Sequence, residues 1–125
     1  MILGIGIDIE DTGRVEREIA RGDWGPGDGV FTPEEIRQCN ASRHPGRSFA
    51  VRFAAKEAIL KALGIAVSDL EIFREIAIEY RRGGRPRVAL RRRVLAESER
   101  QGVRGIHLTV TGNAGHSGAM VILET

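Results

Sequence analysis

Residues 2–9 read Ile-Leu-Gly-Ile-Gly-Ile-Asp-Ile, and polarity there alternates with a period of two. That period predicts a strand. Leu3, Ile5, Ile7 and Ile9 share one side, which the pattern assigns to the core as a continuous aliphatic face. Ile2, Gly4, Gly6 and Asp8 share the other. Glycine weakens a strand, so two at i and i+2 predict that something packs close to that backbone. A helix then runs through about residue 20, capped by Asp11 or Thr12, with Val15 and Ile19 as its apolar pair. Residues 22–29 are a mobile glycine-rich loop by composition. Phe31-Thr32-Pro33-Glu34-Glu35 restarts a helix, with Thr32 as N-cap, Pro33 at N1 and Glu35 at N3. This capping box accounts for Thr32 and Glu35 without further chemistry. After a polar link comes the central helix. Phe49, Phe53, Leu60 and Leu63 make its bulky stripe, Ala50, Ala54, Ala58 and Ala62 a second, small-residue face, and Gly64 its C-cap. The alanine face lets a backbone or a ligand come close.

Further along, a strand is expected over residues 72–81 and a tight turn at Gly83-Gly84-Arg85-Pro86. Residues 87–90 read as a return strand or the lead-in to a helix, which ends at Gly102. Ile106, Leu108 and Val110 then alternate with His107, Thr109 and Thr111. A turn at 112–117 and a last strand at 118–124 complete a β-hairpin. Helices with mostly hairpin-connected strands predict an α+β fold, a mostly antiparallel sheet packed on helices, as one domain over residues 1–125.

Composition narrows the function. The chain of 125 residues is 42% hydrophobic and 29% charged, values of a soluble globular protein. Cys39 is the only cysteine, so an intramolecular disulfide is impossible and a reducing cytoplasm is the expected setting. Its neighbours form no metal-ligand cluster, and the thiol reads as structural or incidental. No apolar run reaches the roughly 20 residues that span a bilayer, and no basic leader precedes the first strand. No membrane association is expected. A net charge of +2 and an aromatic content of 5%, with no strand carrying stacking aromatics, argue against a nucleic-acid partner. The arginines nevertheless cluster. Arg14, Arg17 and Arg21 make one basic stripe, and Arg81, Arg82, Arg85 and Arg87 flank the glycine-proline turn. Such clusters suit an anionic partner. Arg91, Arg92 and Arg93 read as a solvated face. The chain has only two lysines, Lys56 and Lys61, both in the central helix. Glu57 and Lys61, at i and i+4, lie side by side at the border of its two faces. Asp8 is a candidate metal or substrate ligand; its ordinary alternative is a strand-end or helix-cap residue.

Taken together these residues resemble the holo-acyl-carrier-protein synthases, the small type of 4′-phosphopantetheinyl transferase. The resemblance runs nearly end to end. Gly4-Ile5-Gly6-Ile7-Asp8 with Arg14 is similar to the family's opening strand. Residues 31–35 match a weaker signature. Arg52-Phe53-Ala54-Ala55-Lys56-Glu57-Ala58 through Lys61-Ala62 matches the most specific motif, Gly84-Arg85-Pro86 the glycine-basic-proline turn, and residues 107–124 the closing hairpin. The resemblance implies an enzyme that moves the phosphopantetheine arm of coenzyme A onto a serine of an acidic apo carrier protein and releases 3′,5′-ADP. It implies Mg²⁺ held by Asp8 and Glu57, a donor set that suits a hard cation. Lys61 would stabilise the departing phosphate, with the serine proton passing to Glu57 or to a metal-bound water. Arg52 would meet a phosphate, Gly84, Arg85 and Pro86 the adenine end, Thr109, Thr111 and Gly112 another part of coenzyme A, and Arg14, Arg17 and Arg21 the carrier. Lys56 is left a weaker supporting role. The family commonly forms homotrimers with the active site at the subunit boundary.

One departure is clear. Where the family usually reads Ser-x-Ser-His, its histidine meeting a coenzyme A phosphate, this chain reads Thr109-Val110-Thr111-Gly112. His116, Asn113 or the Gly112 backbone N–H are the replacements within reach. The metal and pyrophosphate groups are untouched, which implies an active enzyme with altered coenzyme A affinity or carrier preference. The alternative is a non-catalytic coenzyme A or carrier-binding module. The loop at 22–29 is a place for carrier selection.

Overall fold

The structure is a computed structural model and describes residues 1–22, 24 and 29–125. Its elements are β1 (Ile2–Asp11), α1 (Thr12–Arg21), α2 (Pro33–Ala41), α3 (Pro45–Leu63), a 3₁₀ helix (Leu70–Glu75), β2 (Ile76–Tyr80), β3 (Pro86–Leu90), α4 (Arg92–Gln101), β4 (Gly105–Gly112) and β5 (His116–Glu124). One sheet has the order β1-β5-β4, and β2 and β3 form a second, two-stranded sheet. Every pairing is antiparallel. The α+β expectation holds.

Local chemistry accounts for most boundaries. Asp11 caps α1 by accepting from the Arg14 backbone N–H at 2.9 Å. The capping box of α2 forms as read: Thr32 Oγ1 accepts from Glu35 N, and Glu35 Oε1 accepts from Thr32 N. Gly22, Gly64 and Gly102 end α1, α3 and α4 with positive φ, a conformation that favours glycine. The strand expected over 72–81 is shorter than read. Asp69 accepts from Ile72 N at 3.0 Å and turns the chain into the 3₁₀ helix, which places Ile72 and Phe73 in the core before β2 begins. An apolar run of this length does not by itself separate strand from helical turn.

Helix α3 lies across the sheet, and here the alanine face and the two glycines meet. A Cβ on Gly6 would stand 1.9 Å from the carbonyl oxygen of Ala58, and one on Gly4 would stand 2.3 Å from that of Ala62. The helix backbone rests directly on the β1 backbone, and only glycine permits that approach. The expectation that the aliphatic side of β1 faces the core is therefore overturned. The glycine side with Asp8 is inside, and Ile5, Ile7 and Ile9 are 62%, 61% and 69% exposed.

The other side of α3 carries the core. Phe49 and Phe53 pack with Trp24, Phe31 and Phe73 in an aromatic cluster, joined by Leu60 and Leu63. Lys56 is buried among them without exposure. Its Nζ donates to Glu35 Oε1 at 2.6 Å, to Val30 O at 2.8 Å and to Phe73 O at 2.9 Å. Burial pulls the Lys56 ammonium down to about 8, and the Glu35 carboxylate opposes that shift. Glu35 is thus more than a cap: its other oxygen accepts from Ile78 N, so one carboxylate ties α2, α3 and β2 together. Arg93 lies on a solvated face as read, half of its side chain exposed, but it is not idle there. It bonds both Asp69 and Glu75 and clamps α4 to the 3₁₀ helix. Cys39 is buried, and burial pushes its thiol up to about 12, consistent with a structural group. Among the described residues no helix is long and apolar enough to cross a membrane.

Candidate active site

Asp8 is buried on the inner side of β1, and Lys61 reaches it from the last turn of α3. The Lys61 Nζ donates to Asp8 Oδ1 at 2.9 Å and to Ile7 O at 3.3 Å. Its bond to Asp8 raises the Lys61 ammonium above its ordinary value, and half of the side chain stays exposed. Lys61 therefore pairs with Asp8, across the gap between helix and strand. Glu57, one turn earlier, is half-buried. Burial raises its carboxyl, the Asp8 charge adds to this, and Lys61 and Arg14 pull the other way. The structure adds a carboxylate that the sequence reading passed over. Glu10 shares the inner side of β1 with Asp8, and burial pushes it up to about 8. The neighbouring Asp8 raises it further, while Arg14 pulls the other way. The i+2 spacing of Glu10 from Asp8 was the available signal. Glu10 Oε2 also accepts from Arg14 Nη1 at 2.9 Å.

Asp8, Glu10 and Glu57 thus stand near one another, with Lys61 and Arg14 as countercharges. Asp8 Oδ2 is buried and has no hydrogen-bond partner. That orphaned oxygen, with the carboxylate of Glu57 nearby, fits a hard divalent cation. Among the described residues no three His, Cys, Asp or Glu side chains converge to hold a metal alone. Mg²⁺ does not need them, because it takes one or two carboxylates and completes its shell with water and substrate oxygens.

Other residues singled out from the sequence are spread over several parts of the fold. Thr109 and Thr111 line a depression of about 240 Å³ with Ile7, Ile9 and Met120 on the outward side of the sheet, so within one chain they stand on the face opposite the Asp8 side chain. Arg52 faces elsewhere. It donates to Ile78 O at 3.1 Å and to Gln38 Oε1 at 3.0 Å, and its guanidinium lies 4.8 Å from the Tyr80 ring centre. With Arg37, Ser42, Ser48 and Val51 it lines a cavity of about 470 Å³. Gly84, Arg85 and Pro86 form the β2–β3 turn, closed by Gly84 N donating to Arg81 O, and line neither hollow. Arg14, Arg17 and Arg21 project from α1, with Arg14 held by Glu10 and Arg21 beside Glu18. At the β4–β5 turn, Asn113 Oδ1 accepts from Gly115 N and His116 N, so this side chain serves the turn, and His116 is exposed. Residues 23 and 25–28 of the loop read as a carrier-selection segment lie outside the described residues.

The arrangement offers a buried Asp8 carboxylate, a half-buried Glu57, the exposed Lys61 ammonium beside Asp8, and Arg14 of α1 next to them. This is the chemistry of phosphoryl transfer: placement of the reactants and neutralisation of oxygen charge.

Residues 4–111 match the family model described as the 4′-phosphopantetheinyl transferase superfamily. A curated holo-[acyl-carrier-protein] synthase of Moorella thermoacetica is 39% identical over 124 residues, which is 99% of this chain and 95% of that protein. The crystal structure of holo-[acyl-carrier-protein] synthase from Neisseria meningitidis superposes with a TM-score of 0.81 at 32% identity, covering 100% of both chains. The Bacillus anthracis holo-(acyl-carrier-protein) synthase, solved in complex with CoA (3′,5′-ADP), gives a TM-score of 0.78 at 26% identity, covering 100% of this chain and 98% of that one.

Proposed function

This chain belongs to the 4′-phosphopantetheinyl transferase superfamily, and we propose that it transfers the phosphopantetheine arm of coenzyme A to a serine of an apo acyl carrier protein, releasing 3′,5′-ADP. The observation that carries the reading is the Asp8–Lys61 pair with an orphaned, buried Asp8 oxygen beside Glu57. Asp8 and Glu57 would hold Mg²⁺, which when bound supplies charge neutralisation at the pyrophosphate oxygens.

The chain's own groups then have definite tasks. Lys61 keeps its ammonium fixed on Asp8 and half exposed, so it can meet the leaving phosphate as negative charge develops there. Asp8 and Glu57 sit together where charge must be balanced, and Glu57 stands at the open side, where it can take the serine proton. Arg14, Arg17 and Arg21 present cations to an acidic carrier surface, a contact that steers association and weakens with salt. Arg52 is buried and engaged by Ile78 O, Ser48 O and Gln38 Oε1, so it shapes the wall of its cavity; that cavity, with the exposed Arg37 and the hydroxyls of Ser42 and Ser48, suits the nucleotide end of coenzyme A. Thr109, Thr111 and Gly112, and the turn at Gly84, Arg85 and Pro86, complete the contacts assigned to coenzyme A. The reading includes a homotrimer in the cytoplasm, with the active site at the subunit boundary. The exposed aliphatic face of β1 supports an assembly, and the buried, unpaired Cys39 suits a reducing compartment.

Incubation with an apo carrier protein, coenzyme A and Mg²⁺, followed by intact mass measurement, tests the proposal. The expected result is a gain of one phosphopantetheine. Asp8→Asn and Lys61→Ala are expected to lower the transfer rate by about 10²–10³-fold, the scale of a lost electrostatic contact to the transition state. A parent protein that leaves every carrier unmodified favours the coenzyme A-binding module instead.

A further inference from the structure

Gly112 ends β4 with no side chain, and α3 occupies the space a side chain would need. A Cβ on Gly112 would lie 2.7 Å from Val51 Cγ1 and 3.0 Å from Ser117 Oγ. Neither neighbour yields readily. Ser117 is buried, its Oγ 2.8 Å from Thr12 Oγ1, and the Thr12 hydroxyl also donates to Asn113 O. The Thr12 backbone N–H holds Gly115 O, so the whole turn is pinned to the start of α1. Val51 is β-branched and sits inside a helix, where one rotamer dominates. The same Val51 lines the cavity of about 470 Å³ shared by Arg37, Ser48, Arg52 and Tyr80. One valine thus touches Gly112 and walls the hollow whose lining suits a nucleotide.

We propose that Val51 is a specificity-determining residue for coenzyme A: it keeps position 112 bare and sets how closely the nucleotide end can approach the end of β4. This inference rests on the reading of that cavity as the nucleotide site. A side chain at 112 meets Val51 most closely and Ser117 next, so shrinking Val51 relieves the larger part of the clash and the two positions are coupled.

The test uses the full chain and three variants, Gly112→Ala, Val51→Ala and the two combined. Coenzyme A affinity is read by titration calorimetry and by KM, and melting temperature is recorded alongside. Gly112→Ala is expected to weaken coenzyme A binding about tenfold and to lower the melting temperature; the combined variant is expected to regain about threefold or more of that loss, the Ser117 contact accounting for the rest. Val51→Ala alone is expected to shift coenzyme A affinity about threefold or more without moving the KM for carrier. Purely additive effects, or coenzyme A affinity unchanged in Val51→Ala, overturn the proposal. If Gly112→Ala fails to fold, a combined variant that also fails to fold overturns it. A parent that binds no coenzyme A overturns the functional reading itself and the specificity role with it. A parent that binds, alongside a Val51→Ala variant that binds equally well, overturns this inference alone.

Discussion

Lys56 and Glu35 carry opposite charges 2.6 Å apart with no solvent exposure. A buried pair of this kind contributes little over an apolar replacement, yet losing one member leaves a charge without compensation. Lys56→Met is therefore expected to cost about 3–5 kcal/mol in urea denaturation. Adding Glu35→Gln to it should recover part of that loss, because no charge then remains buried. A Lys56→Met protein within about 1 kcal/mol of the parent would contradict this account. The spacing of Glu57 and Lys61 was legible in the sequence. Lys61's bond to Asp8 was not, since strand and helix approach only in the folded chain. Glu35 illustrates the same limit: the capping box was read correctly and hid the second task of that carboxylate.

The 3₁₀ helix and α4 are joined by Arg93, which donates to both Asp69 oxygens and to Glu75. The bond from Arg93 is the main reason the Asp69 carboxyl falls from its ordinary 3.8 to about 2. A carboxylate depressed by folding contributes stability that is complete above the unfolded value and is lost as pH falls through the folded one. Thermal unfolding of the parent should therefore weaken between about pH 4 and pH 2. Asp69→Asn should melt lower at neutral pH and lose less over that window, and an equal slope in both proteins would contradict the assignment. Element ends were otherwise well marked by caps and glycines, as at Thr32, Gly64 and Gly102. Two ends were missed: α3 already begins at Pro45, inside the polar link read over residues 41–46, and the 3₁₀ helix gives way to β2 only at residue 76. Ile72 and Phe73 fit a strand or a turn equally, and only the Asp69 cap selects the turn.

At the scale of the whole molecule, β1 presents Ile5, Ile7 and Ile9 outward, and Met120 of the neighbouring strand adds to the patch at 41% exposure. A contiguous apolar surface of this kind marks an interaction site. The proposed homotrimer places it against another copy. Sedimentation is expected to show the parent at three times the 13.7 kDa chain mass and Ile7→Arg shifted to the monomer. A monomeric parent would remove the homotrimer from the proposal.

The sequence by itself determined the helices, their caps, the antiparallel hairpins and the family, because each rests on local spacing or on motifs of adjacent residues. It also marked Asp8, Glu57 and Lys61 as candidates. Only the tertiary structure decided which side of β1 is inside. Alternation defines two faces without orienting them, and aliphatic bulk argued for the wrong one. The deciding fact is distance: the Ala58 and Ala62 carbonyls come so near β1 that no Cβ fits, which turns the glycines inward and the isoleucines out. The same close approach brings Lys61 onto Asp8 and gives the site its geometry.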